Sequence, residues 1–256
     1  MDRLTIVKVG GKVVEDELSL QQLLRDFSAI AGYKILVHGG GLLATQIAEK
    51  LGIESRMVDG RRITDEETLK VVTMVYAGLV NKNIVAGLQA IGQNALGMTG
   101  ADLNIIRSRK RPVEKIDYGF AGDVQTVDGA TISKLLKDGV IPVLAPLTHD
   151  GDGCLLNTNA DTIAGETAKE LVNYFDVRLV YCFEKSGVLM DENDDQSVIH
   201  RMNRKLFDLY LKQRIITGGM IPKLENAFQA IQAGVKEVII TRADGINLGK
   251  GTIITP

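Results

Sequence analysis

The sequence predicts an α/β protein on a largely parallel sheet, with two lobes on one continuous sheet dividing near residue 173. Three observations predict it. Short β-branched runs alternate with amphipathic helical stretches along the whole chain, the pattern of strand–helix–strand units. The strand candidates are near-continuous apolar runs, as expected of strands covered on both faces. Glycine makes up 27 of 256 residues and clusters at Gly10-Gly11, Gly39-Gly40-Gly41 and Gly218-Gly219, beside the ends of regular elements.

Leu4–Val9 reads as the first strand, ending in the first glycine pair. Leu20, Leu23, Leu24, Phe27 and Ala31 follow at helical spacing, with Gly32 as the stop. Ile35–Val37 is the next strand. After the second glycine cluster comes a helix with Leu43, Ile47 and Leu51 on one face. Thr64-Asp65-Glu66-Glu67 has the form of a capping box and predicts a helix to about Gly92, which Gly78 and Asn81 are placed to bend or break. Ala95–Met98 reads as a strand, and Arg107–Asp123 as irregular hairpins or a lid. Lys134–Lys137 lies in a short helix, Val140–Ala145 is a strand, and Asn157-Thr158-Asn159-Ala160-Asp161 opens a helix. The last third repeats the theme: strand Leu179–Phe183, helix Asn203–Gln213, a turn at Thr217-Gly218-Gly219, a helix from Pro222, and strands Glu237–Thr241 and Thr252–Thr255. The lobes are residues 1–172 and 173–256, with no Pro/Ser-rich linker between them.

Composition narrows the function classes. Thirty Lys+Arg against 32 Asp+Glu give a net charge of −2, so no charge excess points to nucleic acid or a membrane surface. No uninterrupted apolar run approaches the ~18 residues of a membrane span. The N-terminus lacks a signal-peptide pattern, and Cys154 and Cys182 form no CxxC pair, so a cytoplasmic protein with reduced thiols is expected. His38, His149 and His200 are scattered, which disfavours a histidine zinc site. There is no GxxxxGK[ST], GxSxG or HRDxxxxN element.

The glycine clusters are either tight turns or places where backbone N–H groups cradle an anion. The second also reads Gly39-x-Gly41-x-x-Ala44 with Asp59 twenty residues on, the looser dinucleotide fingerprint, although Met57-Val58 makes a poor second strand. Nearby charges carry more information. Lys8 interrupts an apolar strand, which is costly unless the ammonium snorkels or meets an anion. Lys223 follows Pro222 in a first helical turn, against the helix dipole. Asp161, Asn157 and Asn159 suit either helix capping or a site. Arg62 is either surface or a carboxylate clamp. Two lysines with glycine nests and no histidine cluster suggest phosphoryl transfer by electrostatic stabilisation. An acceptor carboxylate, already ionised at neutral pH, would need no base.

IVKVGGK, VHGGG, DGRRIT, NTNAD and TGGMIPK, in this order from Leu4 to Thr255, together resemble the amino-acid kinase family, in its acylglutamate-phosphorylating branch. The resemblance implies a three-layer αβα sandwich with an N-terminal acylglutamate and dimerisation lobe and a C-terminal ATP lobe. It implies transfer of the ATP γ-phosphoryl group to the side-chain carboxylate of N-acetyl-L-glutamate in arginine biosynthesis, with the N-succinyl substrate or a non-catalytic sensor as alternatives. Lys8 and Lys223 would stabilise the phosphoryl group, with Asp161 holding both. Gly10 and Gly11 would donate N–H groups to the ATP phosphates, and Gly40 and Gly41 would bind the substrate. Arg62 and Asn157 would engage its carboxylates, with Asn159 nearby. Glu184, Ser186, Gly187 and Thr217 would contact the nucleotide, with glutamate where the family often has aspartate. Mg²⁺ would arrive with ATP, held mainly by its phosphates. Arginine-inhibited members carry an extra N-terminal helix that builds a hexamer; this chain opens at its first strand, so a homodimer insensitive to arginine is expected.

Overall fold

The computed structural model describes residues 1–58, 60–246 and 250–256. Asp59, the acidic residue of the dinucleotide fingerprint, lies outside them. Numbered in chain order, the strands of the main sheet run β12 (Arg201–Met202), β14 (Thr252–Ile254), β13 (Glu237–Arg242), β11 (Asp176–Phe183), β1 (Arg3–Val9), β2 (Tyr33–His38), β8 (Ile141–Leu144) and β5 (Ala95–Met98). Of the neighbouring pairs, β13–β14 is antiparallel and the rest are parallel. Beside this sheet β6 (Ile106–Lys110), β7 (Ala121–Val127), β9 (Leu147–His149) and β10 (Leu155–Thr158) close on one another. A two-stranded hairpin pairs β3 (Met57–Val58) with β4 (Arg61–Arg62). Met57-Val58 is therefore not a core strand, and the dinucleotide reading loses the strand it needs.

Alternation along the strands sorts side chains between two helical layers. Leu4 and Ile6 face one core with α6 (Gly129–Lys137), α7 (Ala160–Leu171), α8 (Arg204–Lys212) and α9 (Met220–Gln232). Val7 and Val9 face the other, with α1 (Gly11–Glu15), α2 (Glu17–Ser28), α3 (Gly41–Lys50), α4 (Glu66–Val72) and α5 (Asn81–Ala90). Lys8 shares parity with Leu4 and Ile6, so it faces the α7–α9 layer. His38 shares parity with Leu36 and faces the α5 layer. Both stand at the carboxyl ends of neighbouring parallel strands, where open α/β sheets bind ligands.

Several expectations need correcting. The cap before α4 is Asp65, whose carboxylate accepts from the Thr68 N–H at 2.8 Å; Thr64 is buried and hydrogen-bonded elsewhere. The bend expected at Gly78 or Asn81 is instead a π-helical segment, Thr73–Val80, joining α4 to α5 without a break. The resulting helix, Glu66–Ala90, has 25 residues and a mean hydropathy of 1.4 in its most apolar window, enough by length and composition to cross a membrane. The absence of an uninterrupted apolar run hid this property, because Asn81 and Lys82 punctuate it; here the helix supplies Val75, Ile84 and Leu88 to the core. Helix α9 begins at Met220, so Pro222 sits at its third position rather than its first.

Candidate active site

Asp161 organises the α7 side of the site. It lies in the first turn of α7 and carries an ion pair on each oxygen: Lys8 Nζ to Oδ1 at 2.7 Å and Lys223 Nζ to Oδ2 at 2.6 Å. Burial pushes the Asp161 carboxyl up, but the two ammonium groups outweigh it and hold the group at about 2. Asp161 is thus a fixed anion rather than a base. Two cations against one carboxylate leave a local excess of one positive charge. Tyr181, buried on β11, donates its hydroxyl to the Asp161 carbonyl at 3.2 Å and secures the start of α7. Sequence reasoning missed Tyr181, whose place in an apolar strand reads only as core.

The glycine turns after β1 and β2 lie against each other. The Gly10 N–H donates to the Cys182 carbonyl at 3.2 Å and the Gly39 N–H to the Val9 carbonyl at 3.0 Å, so both amides stitch the sheet. The Gly10 N–H, expected to meet a phosphate, is engaged by the Cys182 carbonyl in the structure. The backbones of Gly11, Gly40 and Gly41 come close together instead: a Cβ on Gly11 would lie 3.6 Å from both the Gly40 and Gly41 nitrogens and 3.3 Å from Glu15 Oε1. Gly40 has φ +153°, and a Cβ there would meet Tyr76 at 3.1 Å and Val80 at 3.3 Å, so a side chain would be both strained and crowded.

A cavity of about 180 Å³ opens on this turn, lined also by Arg62, Tyr76, Asn157 and Asn159. A second, of about 680 Å³, is lined by Asp161, Lys223, Gly218 and Gly219. Both cavities share Gly60, Arg61 and Asn159. The β3–β4 hairpin thus overhangs the boundary between them. Arg61 reaches both, a position that sequence reasoning did not assign. Arg62 is nearly buried, at 7% exposure. It donates to the Gly41 carbonyl at 2.7 Å, Thr45 Oγ1 at 2.8 Å and Ser55 Oγ at 2.8 Å, which engages three of its five donors. It therefore braces the glycine turn as well as facing the cavity. Asn157 donates to Thr64 Oγ1 at 3.0 Å, and Thr64 in turn donates to the Arg62 carbonyl at 3.1 Å. Asn159 is the α7 cap, accepting from the Asp161 and Thr162 N–H groups.

The expected nucleotide contacts are less concentrated. Glu184 pairs with Lys12 at 2.9 Å, both exposed, and lines a separate cavity of about 390 Å³ with Phe183, Arg242 and Asp244. Gly187 is buried where a Cβ would meet Val198 at 2.8 Å and Thr252 at 2.9 Å, so packing alone requires glycine there. Ser186 is half-buried beside it, and Thr217 is exposed just before Gly218. The structure brings Lys8, Asp161 and Lys223 together and sets Gly40, Gly41, Arg62, Asn157 and Asn159 around the adjoining cavity. Glu184, Ser186, Gly187 and Thr217 line neither of these two cavities.

Comparison with known proteins gives a consistent picture. Residues 3–242 match the amino acid kinase family. The chain is 66% identical over 252 residues to the acetylglutamate kinase of Parabacteroides distasonis, covering 98% of this chain and 99% of that one. It is 67% identical over 253 residues to the acetylglutamate kinase of Bacteroides fragilis, covering 99% and 97%. A solved structure from Streptococcus mutans superposes with a TM-score of 0.82 at 28% identity, covering 98% of both chains.

Proposed function

The chain belongs to the amino acid kinase family, and from that premise we propose that it uses ATP to phosphorylate the side-chain carboxylate of N-acetyl-L-glutamate, a step of arginine biosynthesis. Its relatives at 66% and 67% identity are named for that activity. One observation carries the reading into this chain's own residues: Asp161 holds Lys8 and Lys223 on its two oxygens.

The chemistry follows from what the site has and lacks. The acceptor carboxylate is ionised at neutral pH, with an ordinary pKa near ~4.3, so no proton must be removed. Its oxygen forms a bond to the γ-phosphorus while the bond to the β,γ-bridging oxygen breaks and ADP leaves. Lys8 and Lys223 neutralise the charge that spreads over the transferring group, and Asp161 keeps both ammonium groups in place before the substrate arrives. The amides of Gly11, Gly40 and Gly41 would suit anionic oxygens as a cluster of backbone N–H donors. Arg62 and the Asn157 amide, which line the cavity on the glycine turn, would engage the acylamino acid's carboxylates. Among the described residues no three His, Cys, Asp or Glu side chains form a metal-binding group. Mg²⁺ arriving with ATP would be held mainly by phosphate oxygens and would supply further charge neutralisation.

In this reading residues 1–172 hold the acylglutamate, and residues 173–256, with Glu184, Ser186, Gly187 and Thr217, hold the nucleotide. The protein would work in the cytoplasm as a homodimer, for which the exposed Met74 and Leu79 on the long helix offer an apolar face. The test is ATP-dependent acyl-phosphate formation trapped with hydroxylamine, comparing N-acetylglutamate, N-succinylglutamate and free glutamate. N-acetylglutamate is expected to react, and turnover of free glutamate alone would reject the proposal.

A further inference from the structure

Beneath the glycine turn, on the face away from the lysines, lies a buried polar pair that the transfer chemistry does not use. His38 is completely buried at the end of β2, and Asn81 is 1% exposed at the start of α5. His38 Nδ1 lies 2.7 Å from the Gly39 carbonyl oxygen, and Nε2 lies 3.1 Å from Asn81 Nδ2. A carbonyl can only accept, so Nδ1 carries the proton and Nε2 of the neutral ring accepts from Asn81. Asn81 is satisfied throughout: Nδ2 also donates to the Val143 carbonyl at 2.9 Å, and Oδ1 accepts from Lys82 Nζ at 3.1 Å. Gly97 makes room for this arrangement, because a Cβ there would overlap Asn81 Oδ1. The ring stays neutral because burial pulls its pKa down to about 4, with the Lys82 charge helping and the Gly39 carbonyl opposing.

The consequence lies one bond away. In a trans peptide the C=O and the following N–H point in opposite directions. A Gly39 carbonyl held down by His38 therefore presents the Gly40 N–H upward, beside Gly11. The π-helical segment completes the support. Its i→i+5 turns bring Asn81 back over Tyr76, so the residues that wall Gly40 and the residue that orients His38 share one side.

We propose that His38 and Asn81 are positioning residues: they fix the plane of the Gly39–Gly40 peptide so that the Gly40 N–H is aimed into the substrate cavity. This rests on reading the glycine turn as a ligand cradle in the proposed kinase reaction.

The two ring nitrogens can be mimicked separately, because the Asn amide nitrogen, a donor, is as many bonds from Cα as Nδ1 and the Gln amide oxygen, an acceptor, as many as Nε2. His38→Asn keeps the donor to Gly39, and His38→Gln keeps only the contact with Asn81. In the hydroxylamine assay, His38→Asn is expected to stay within about threefold of the wild-type KM for N-acetylglutamate. His38→Gln should raise that KM about tenfold, the scale of one misplaced hydrogen bond, with kcat less affected. Nitrogen-15 NMR of the wild-type protein should show His38 protonated at Nδ1 alone. Equal behaviour of the two variants, or a proton on Nε2, overturns the inference while wild-type turnover leaves the kinase reading intact. A wild-type protein that forms no acyl phosphate rejects the kinase reading and this role with it.

Discussion

The two faces of the sheet hold their functional groups by opposite means. On the α7–α9 face Lys8, Asp161 and Lys223 are held by charge, two ammonium groups sharing one buried carboxylate. On the α5 face the glycine turn is held by hydrogen bonds to its backbone carbonyls, from the neutral His38 ring, itself oriented by Asn81, and from the Arg62 guanidinium. The difference fits what each presents. The first offers side-chain charge to a transferring phosphoryl group and needs a counter-charge to keep two ammonium groups close. The second offers backbone amides, whose direction is set by peptide planes and not by attraction.

The contrast breaks most sharply at Asp161. Asp161→Ala leaves Lys8 and Lys223 near one another without a partner, and is expected to cost about 3–5 kcal/mol of stability, as when one side of a buried ion pair is removed. Urea unfolding at neutral pH measures it, and a loss below about 1 kcal/mol would mean that the charges do not hold this face.

Acid should separate the faces next. His38 has a folded-state pKa of about 4 against an ordinary 6.5. A depressed value contributes stability that is present above pH 6.5 and lost as pH falls through 4. The shift corresponds to about 3 kcal/mol at ~1.4 kcal/mol per unit. Asp161, at about 2 against 3.8, contributes roughly 2 kcal/mol on the same scale, lost only as pH falls through 4 toward 2. Unfolding free energies measured from pH 7 to 4 should fall more steeply for the wild type than for His38→Asn. Parallel curves would remove His38 from the account.

The smallest effect is expected at the α7 cap. Asn159→Ala should cost about 1 kcal/mol, the usual loss of an N-cap side chain. Thermal unfolding would detect it, and an unchanged midpoint would show that Asn159 is not needed to start the helix.

How much of this was legible in the sequence varied with the reach of the interaction. The strands around Lys8, Ile35–Val37 and Ala95–Met98 were readable because local apolar patterning determines them. The chemical character of Lys8 and Asp161 was visible too, since a lysine in an apolar strand and an aspartate at a helix start are local anomalies. Their meeting was not, because 152 positions separate them and the start of α7 must fold back onto the end of β1. The Gly10 amide looked free, yet its carbonyl partner at Cys182 comes from a strand pairing that no local signal records. The π segment was seen only as a possible bend, because nothing in Thr73–Val80 marks an i→i+5 turn. Asn81 therefore looked like a helix breaker, although the wider turn makes it a buried donor.

The central claim is that the charge-held face performs the phosphoryl transfer, and kcat is its most direct measure. Lys8→Ala and Lys223→Ala should each reduce kcat for N-acetylglutamate phosphorylation by about 10²-fold or more, as removal of a transition-state donor does. Near-wild-type kcat in both variants would contradict the account.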